Sequence, residues 1–167
     1  MCFSLSSLSP HTHYSDGFPF PPSWLACDAV SGIAFFYDPD GYSIEIVERE
    51  KEYEDMPEFG IAQTMIRCKR LEQTIEFFKK HFGMSLVRKA IRPGDFTNAF
   101  MASVPNSLQS EMPSDVQGNE AKPFVQKLYS QNVPVLELTH NEGVDQKDFE
   151  YYTGNEEGRK GYASYHE

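Results

Sequence analysis

Between residues 61 and 140 the chain combines one strongly periodic helical segment with several short strand-like segments. Four large apolar side chains recur at the spacing of a single helix face: Leu71, Ile75, Phe78 and Phe82. Lys79 and Lys80 occupy the last turn and Gly83 follows directly, as is typical of a helix C-terminus. The sequence therefore predicts one helix that ends at Gly83.

Strand-like segments lie on both sides of this helix. They are predicted at 61–68, 84–90, 96–102 and 135–140. The stretch 105–122, rich in Ser, Pro, Asn, Gln and Glu, predicts a solvated loop before the last strand. The resulting order is β-α-β-β-β, and the predicted fold class is α+β.

The chain before residue 58 divides into three parts. Residues 1–32 contain no Lys or Arg, have four Pro, and show neither helical nor strand periodicity, so we predict an irregular leader. Two apolar runs then flank Asp38-Pro39-Asp40-Gly41, which predicts a β-hairpin within 33–47. The charged stretch that follows, up to Pro57, predicts a linker.

Charge and cysteine usage argue against several classes of protein. The 167 residues include 25 Asp and Glu against 15 Lys and Arg, a net charge of −10, which disfavours nucleic acid as a partner. Three Cys without a Cys-X-X-Cys pair indicate neither a disulfide framework nor a thiolate zinc site. No apolar run approaches the ~20 residues of a membrane span, and no signal peptide is recognisable. We therefore expect a cytoplasmic protein without a membrane partner.

Three predicted strands each contain a polar side chain that can bind a metal ion. Glu45, Gln63 and Glu137 each stand in an otherwise apolar stretch. Burying an unpartnered carboxylate is costly, so such positions need a cation, a hydrogen-bond partner or open solvent. Metal ligation is one explanation, and a half-exposed strand with polar residues at every second position is the other. The pattern alone leaves both open.

Two further polar residues share faces with these candidates. Arg67 lies on the face of Gln63, and Asn141 lies four positions beyond Glu137 on the same face. A guanidinium and a carboxamide there could bind the polar groups of a small ligand. His140 falls on the opposite face, where we expect a packing or capping role.

Four motifs occur in a defined order along the chain. They are Asp38-Pro39-Asp40-Gly41-Tyr42-Ser43-Ile44-Glu45-Ile46, Gln63-Thr64-Met65-Ile66-Arg67, His81-Phe82-Gly83-Met84-Ser85-Leu86, and Leu136-Glu137-Leu138-Thr139-His140-Asn141. In combination they closely resemble glyoxalase I, the lactoylglutathione lyase family of the vicinal-oxygen-chelate superfamily. The resemblance covers roughly residues 32–163 apart from 105–122, and it implies a βαβββ module that pairs with another module around a metal ion.

The resemblance also implies a role for each candidate residue. Gln63 and Glu137 match metal ligands of one module, and Glu45 matches the ligand and catalytic base of another. Gln at the first ligand position resembles the zinc-using type, with nickel as the alternative. Glu137 is then either a second catalytic carboxylate or solely a ligand. Arg67 and Asn141 match positions that contact glutathione, the co-substrate.

The order of the motifs resembles a fragment of a tandem two-domain form, because Glu45 precedes Gln63. On this interpretation residues 33–57 are the C-terminal hairpin of an upstream module plus a linker. Residues 58–150 form a complete βαβββ module, and residues 151–167 begin the next one.

The resemblance implies a fourth metal ligand that this sequence does not match. A histidine is expected upstream of Glu45, where the chain has only the predicted leader. At the equivalent downstream position stands Ser164, with His166 as a candidate substitute two residues further on.

The activity implied is the metal-dependent isomerisation of the methylglyoxal–glutathione hemithioacetal to S-lactoylglutathione, which detoxifies methylglyoxal. The alternative is a truncated, non-catalytic module that binds glutathione conjugates or pairs with an intact partner. A lone module exposes the face meant for its partner. We therefore expect a homodimer or pairing with another glyoxalase module.

Overall fold

The computed structural model describes the backbone of residues 2–5, 26–28, 33–37, 43–48 and 59–146, together with Tyr151. Eight strands and two α-helices lie in these ranges. Their order is β1 Cys2–Leu5, β2 Ala26–Asp28, β3 Ile33–Tyr37, β4 Ser43–Glu48, β5 Phe59–Arg67, α1 Leu71–Phe82, β6 Ser85–Arg92, β7 Phe96–Ala102, α2 Ala121–Ser130 and β8 Val135–Asn141. Short 3₁₀ helices follow β7 and β8, at Asn106–Glu111 and Val144–Gln146.

The described strands form one sheet with the order β2-β3-β4-β1-β5-β8-β7-β6. In the half formed by β5 to β8, β5 pairs in parallel with β8, and β7 pairs antiparallel with both β8 and β6. The other half has the same arrangement, because β1 is parallel to β4 and β3 is antiparallel to β4 and β2. The two halves meet where β1 pairs antiparallel with β5.

The observed elements confirm the predicted α+β class and the glyoxalase-type module. β5, α1, β6, β7 and β8 follow the predicted β-α-β-β-β order, and the predicted hairpin is present as β3 and β4. Helix α1 ends as its sequence predicts. Gly83 adopts a left-handed φ of 63°, and its N–H donates to the carbonyl of Lys79.

Two apolar clusters cover opposite faces of the β5–β8 half. Leu71 and Ile75 of α1 pack on one face, against Ala99, Met101 and Leu138. Helix α2 packs on the other face, against Phe100, Ala102 and Val135, whose side chains point away from α1. The residues of α2 in this cluster are Phe124, Val125, Leu128 and Tyr129. Helix α2 therefore lies on the face that carries Gln63 and Glu137, which we call the site face.

The structure differs from the sequence-based predictions in two segments. Residues 1–32 contain two short strands, β1 and β2, so the predicted irregular leader is wrong at these positions. The stretch 105–122 is not simply a solvated loop, because it contains the first 3₁₀ helix with its buried Leu108. Helix α2 was also not predicted, although Ala121, Phe124, Val125 and Leu128 have helical spacing.

Within the described ranges no helix has the length and apolar character needed to cross a bilayer. The expectations for the linker before Pro57 and for Ser164 and His166 lie outside the described residues.

Candidate metal and substrate site

Gln63 and Glu137 contact each other on the site face. The parallel register of β5 and β8 places Gln63 opposite Val135 and Met65 opposite Glu137, so both polar side chains point to one face. The Gln63 amide Nε2 donates to Glu137 Oε2 over 2.5 Å. Gln63 is only 6% exposed and Glu137 only 7%, so the half-exposed strand that the sequence left open does not describe these two positions.

The second oxygen of the Glu137 carboxylate also accepts a hydrogen bond. Asn98 of β7 lies opposite Thr139 of β8 and donates its side-chain amide to Glu137 Oε1. The Oδ1 atom of Asn98 is buried and has no hydrogen-bond partner among the described residues. Asn98 was not among the candidates identified from the sequence. The signal was weak, since Asn98 follows another polar residue, Thr97, before the apolar run Ala99 to Ala102.

Helix α2 supplies a further contact to the site. The Tyr129 hydroxyl donates to Gln63 Oε1, and its ring is buried in the cluster that α2 forms with the sheet. The Gln63 amide is thereby hydrogen-bonded at both ends, to Tyr129 and to Glu137. Sequence reasoning missed Tyr129 because it missed α2.

The surroundings of Glu137 disfavour its charged form. Burial is the largest cause, followed by the negative charge of Glu45, and together they raise the pKa of Glu137 from 4.5 to about 7. Hydrogen bonds from Thr139 and Gln63 and the positive charge of Arg88 act in the opposite direction and are outweighed. A cation bound nearby would favour the charged form of Glu137 and lower the pKa of its carboxyl group.

Glu45 lies close enough to Glu137 for its charge to act on that carboxylate. It is half-buried on β4, opposite Cys2 of β1, which in turn lies opposite Gln63 of β5. The three predicted ligands are thus brought toward one region by the junction between the two halves of the sheet.

Arg67 and Asn141 form a second polar pair on the site face. They end β5 and β8, and the Arg67 guanidinium donates to Asn141 Oδ1 over 2.9 Å. Arg67 is exposed, so its remaining N–H donors are accessible to a ligand. His140 lies on the opposite face, where its ring Nδ1 is 3.3 Å from the carbonyl oxygen of Cys68.

The donor set fits a divalent cation. A buried carboxylate whose pKa is raised and a second carboxylate that repels it form a pair that a bound cation stabilises. The Gln63 amide nitrogen faces Glu137, and its oxygen, which accepts from Tyr129, keeps a second lone pair for a cation. Asn98, which donates to Glu137 Oε1, also has a buried Oδ1 without a hydrogen-bond partner among the described residues. The described residues contain no group of three or more His, Cys, Asp and Glu side chains that could hold a metal. Any site in this region therefore depends on the amide of Gln63 in addition to its carboxylates.

Comparisons with known proteins show the family of the chain. The chain is 32% identical over 169 residues to a lactoylglutathione lyase of Schizosaccharomyces pombe, covering 98% of this chain and 49% of that protein. It is 29% identical over 165 residues to glyoxalase I of Saccharomyces cerevisiae, covering 94% of this chain and 45% of the relative. The chain is a glyoxalase I-like protein. No family model matches it.

This glyoxalase I-like chain spans about half the length of these curated relatives. Among solved structures, glyoxalase I from Zea mays matches with 32% sequence identity and a TM-score of 0.42, covering 66% of this chain and 30% of that one.

Proposed function

We propose that the chain carries the site of a lactoylglutathione lyase, which isomerises the methylglyoxal–glutathione hemithioacetal to S-lactoylglutathione and so detoxifies methylglyoxal. The observation that carries this proposal is the buried Gln63–Glu137 pair, with Glu45 acting on it electrostatically. The names of the two relatives described above support the substrate class.

Gln63, Glu137 and Glu45 would hold the metal ion, with zinc as our first choice and nickel as the alternative. The bound ion would supply Lewis-acid polarisation of the two adjacent substrate oxygens. Each protein ligand has an oxygen atom to offer. The Gln63 amide oxygen has a second lone pair beside the one that Tyr129 occupies, and Glu137 has further acceptor sites on both oxygens.

Glu45 would move the proton in this reaction. It takes the proton from the carbon that bears the sulfur and returns it to the neighbouring carbon, while the hydroxyl and carbonyl oxygens exchange roles, so that no external oxidant is needed. Glu45 is half-buried on β4, and its charge acts on the Glu137 carboxylate. Glu137 is the alternative base, because it is a second carboxylate beside Glu45 at the proposed metal position.

Arg67 and Asn141 would bind the glutathione part of the substrate. Their mutual hydrogen bond holds the guanidinium over the ends of β5 and β8, where it can pair with a carboxylate of the tripeptide. A charged hydrogen bond of this kind contributes about 1.5–3 kcal/mol.

Arg67→Leu is therefore expected to weaken the binding of S-methylglutathione by about 10-fold or more. Isothermal titration calorimetry measures this directly and needs no turnover. Arg70→Leu is the matched control, because Arg70 is also exposed but stands at the start of α1, outside the Arg67–Asn141 pair. Equal affinities of both variants and wild type would exclude Arg67 from the binding site.

Pairing with a second copy or with another glyoxalase module would complete the site. Large apolar side chains are exposed on β5, where a partner could cover them: Ile61 is 51% exposed, Met65 43% and Ile66 37%. Such a partner would also supply the fourth ligand. We propose that residues 33–57 belong to an upstream module and that 58–150 form the complete one, and we expect the protein in the cytoplasm.

Metal content per chain, measured on size-fractionated protein together with hemithioacetal isomerisation, tests the proposed function. We expect bound zinc or nickel and turnover in the dimer fraction. A chain that stays metal-free and inactive after zinc and nickel are added would contradict the proposal. If it still binds S-methylglutathione, the non-catalytic glyoxalase-like module is the correct alternative.

A further inference from the structure

Four side chains on the site face form a continuous run of hydrogen bonds. Tyr129 donates to the oxygen of the Gln63 amide, whose nitrogen donates to Glu137 Oε2, and Asn98 donates to Glu137 Oε1. The two inner members are the proposed metal ligands. The two outer members, Tyr129 and Asn98, come from α2 and β7 and have no assigned role.

Asn98 is an unfavourable choice for its position unless it serves Glu137. Asn98 is half-buried, and the four residues that follow it on β7, Ala99 to Ala102, are apolar and buried. Its Oδ1 is buried without a partner among the described residues, which is destabilising. The hydrogen bond from Nδ2 to Glu137 is the contact that accounts for an asparagine here.

Tyr129 contacts the other proposed ligand, Gln63, and it too carries a polar group that packing alone does not require. Its ring is 5% exposed and packs with Phe124, Val125 and Leu128 in the cluster under α2. Phenylalanine would fill this space without a polar atom. The hydroxyl is therefore explained by its contact with Gln63 rather than by packing.

We infer that Asn98 and Tyr129 are positioning residues that hold Glu137 and Gln63 in the arrangement required for a divalent cation. Tyr129 donates to the Gln63 amide oxygen and Glu137 accepts from the amide nitrogen, so the two contacts fix the orientation of a flexible side chain. A cation would use the second lone pair of that oxygen. Asn98 fixes the plane of the Glu137 carboxylate, because Gln63 and Asn98 each hold one of its oxygens. Partners of this kind orient metal ligands and typically change metal affinity 10–100-fold when they are removed. The inference rests on the proposed metal site.

Zinc titration of the metal-free 167-residue chain by isothermal titration calorimetry tests this inference without any need for activity. Asn98→Leu keeps the approximate size of the side chain and removes the donor. Tyr129→Phe removes only the hydroxyl and keeps the ring packing. Each variant is expected to bind zinc at least about 10-fold more weakly than wild type, with a melting temperature of the metal-free form within about 4 °C of wild type.

Asn106→Leu is the control, because it makes the same change at an exposed position of the first 3₁₀ helix. Its zinc affinity should equal that of wild type. Wild-type affinity in both Asn98→Leu and Tyr129→Phe would overturn the inference and leave the proposed function intact. If wild type itself binds neither zinc nor nickel, the metal site is wrong and this inference fails with it. Because Tyr129→Phe preserves packing, it decides the outcome even if Asn98→Leu folds poorly.

Discussion

Glu137→Gln is expected to lower the zinc affinity of the chain by more than about 100-fold, a larger effect than the loss of a residue that merely orients a ligand. Glu137 is central to the site because it joins Gln63 and Asn98 and contributes a buried negative charge. Glutamine has the same size and retains an oxygen ligand, so the loss reports on the charge. Hemithioacetal isomerisation should fall in parallel.

Glu120→Gln provides the control for this measurement. Glu120 is exposed at the start of α2, and its neutralisation changes the net charge of the chain by the same amount. Zinc affinity should remain at the wild-type value in Glu120→Gln. A Glu137→Gln variant that still binds zinc as tightly as wild type would remove Glu137 from the ligand set.

The stability of the metal-free protein is expected to fall as the pH rises from 4.5 to 7. The pKa of Glu137 is raised in the folded chain from 4.5 to about 7, so between these values the folded state binds more protons than the unfolded state. The contribution of Glu137 to the stability of the folded chain is complete below pH 4.5 and is lost as the pH rises through 7. The difference is about 3 kcal/mol in the free energy of unfolding, which urea denaturation in the presence of a chelator measures.

Two variants separate the causes of this pH dependence. Glu137→Gln should remove the fall in stability between pH 4.5 and 7, because the titrating group is absent. Glu45→Gln should reduce the fall without removing it, because burial of Glu137 is the larger cause and the charge of Glu45 the second. Wild-type pH dependence in Glu137→Gln would show that another group titrates.

The sequence predicted those parts of the fold whose information is local. Helix α1 could be predicted because its apolar spacing and Gly83 are both written in one short stretch. Strand β7 matched its predicted bounds because its apolar residues lie together. β1 could not be predicted, because four residues without alternation form a strand here only through pairing with β4 and β5.

In the candidate site, the residues could be identified from the local sequence, but their contacts could not. Gln63 and Glu137 were identified because they are polar residues in apolar strands and occur in motifs that resemble one family. Their contact depends on the register of β5 and β8, which the sequence alone did not supply. Tyr129 was missed because no helix was predicted between the loop at 105–122 and the last strand, although proline is tolerated in the first turn of a helix, where Pro123 lies.

The four-residue strand β1 has a thermodynamic consequence for the whole sheet. Within the described residues it is the strand that joins β4, which carries Glu45, to β5, which carries Gln63. A cation held by ligands from both halves of the sheet would oppose the separation of β4 from β5. Metal binding would therefore raise the free energy needed to open the sheet locally at β1. Amide hydrogen exchange in Cys2–Leu5 should then slow as metal is added, and the same coupling would make the metal easiest to lose when this short strand opens.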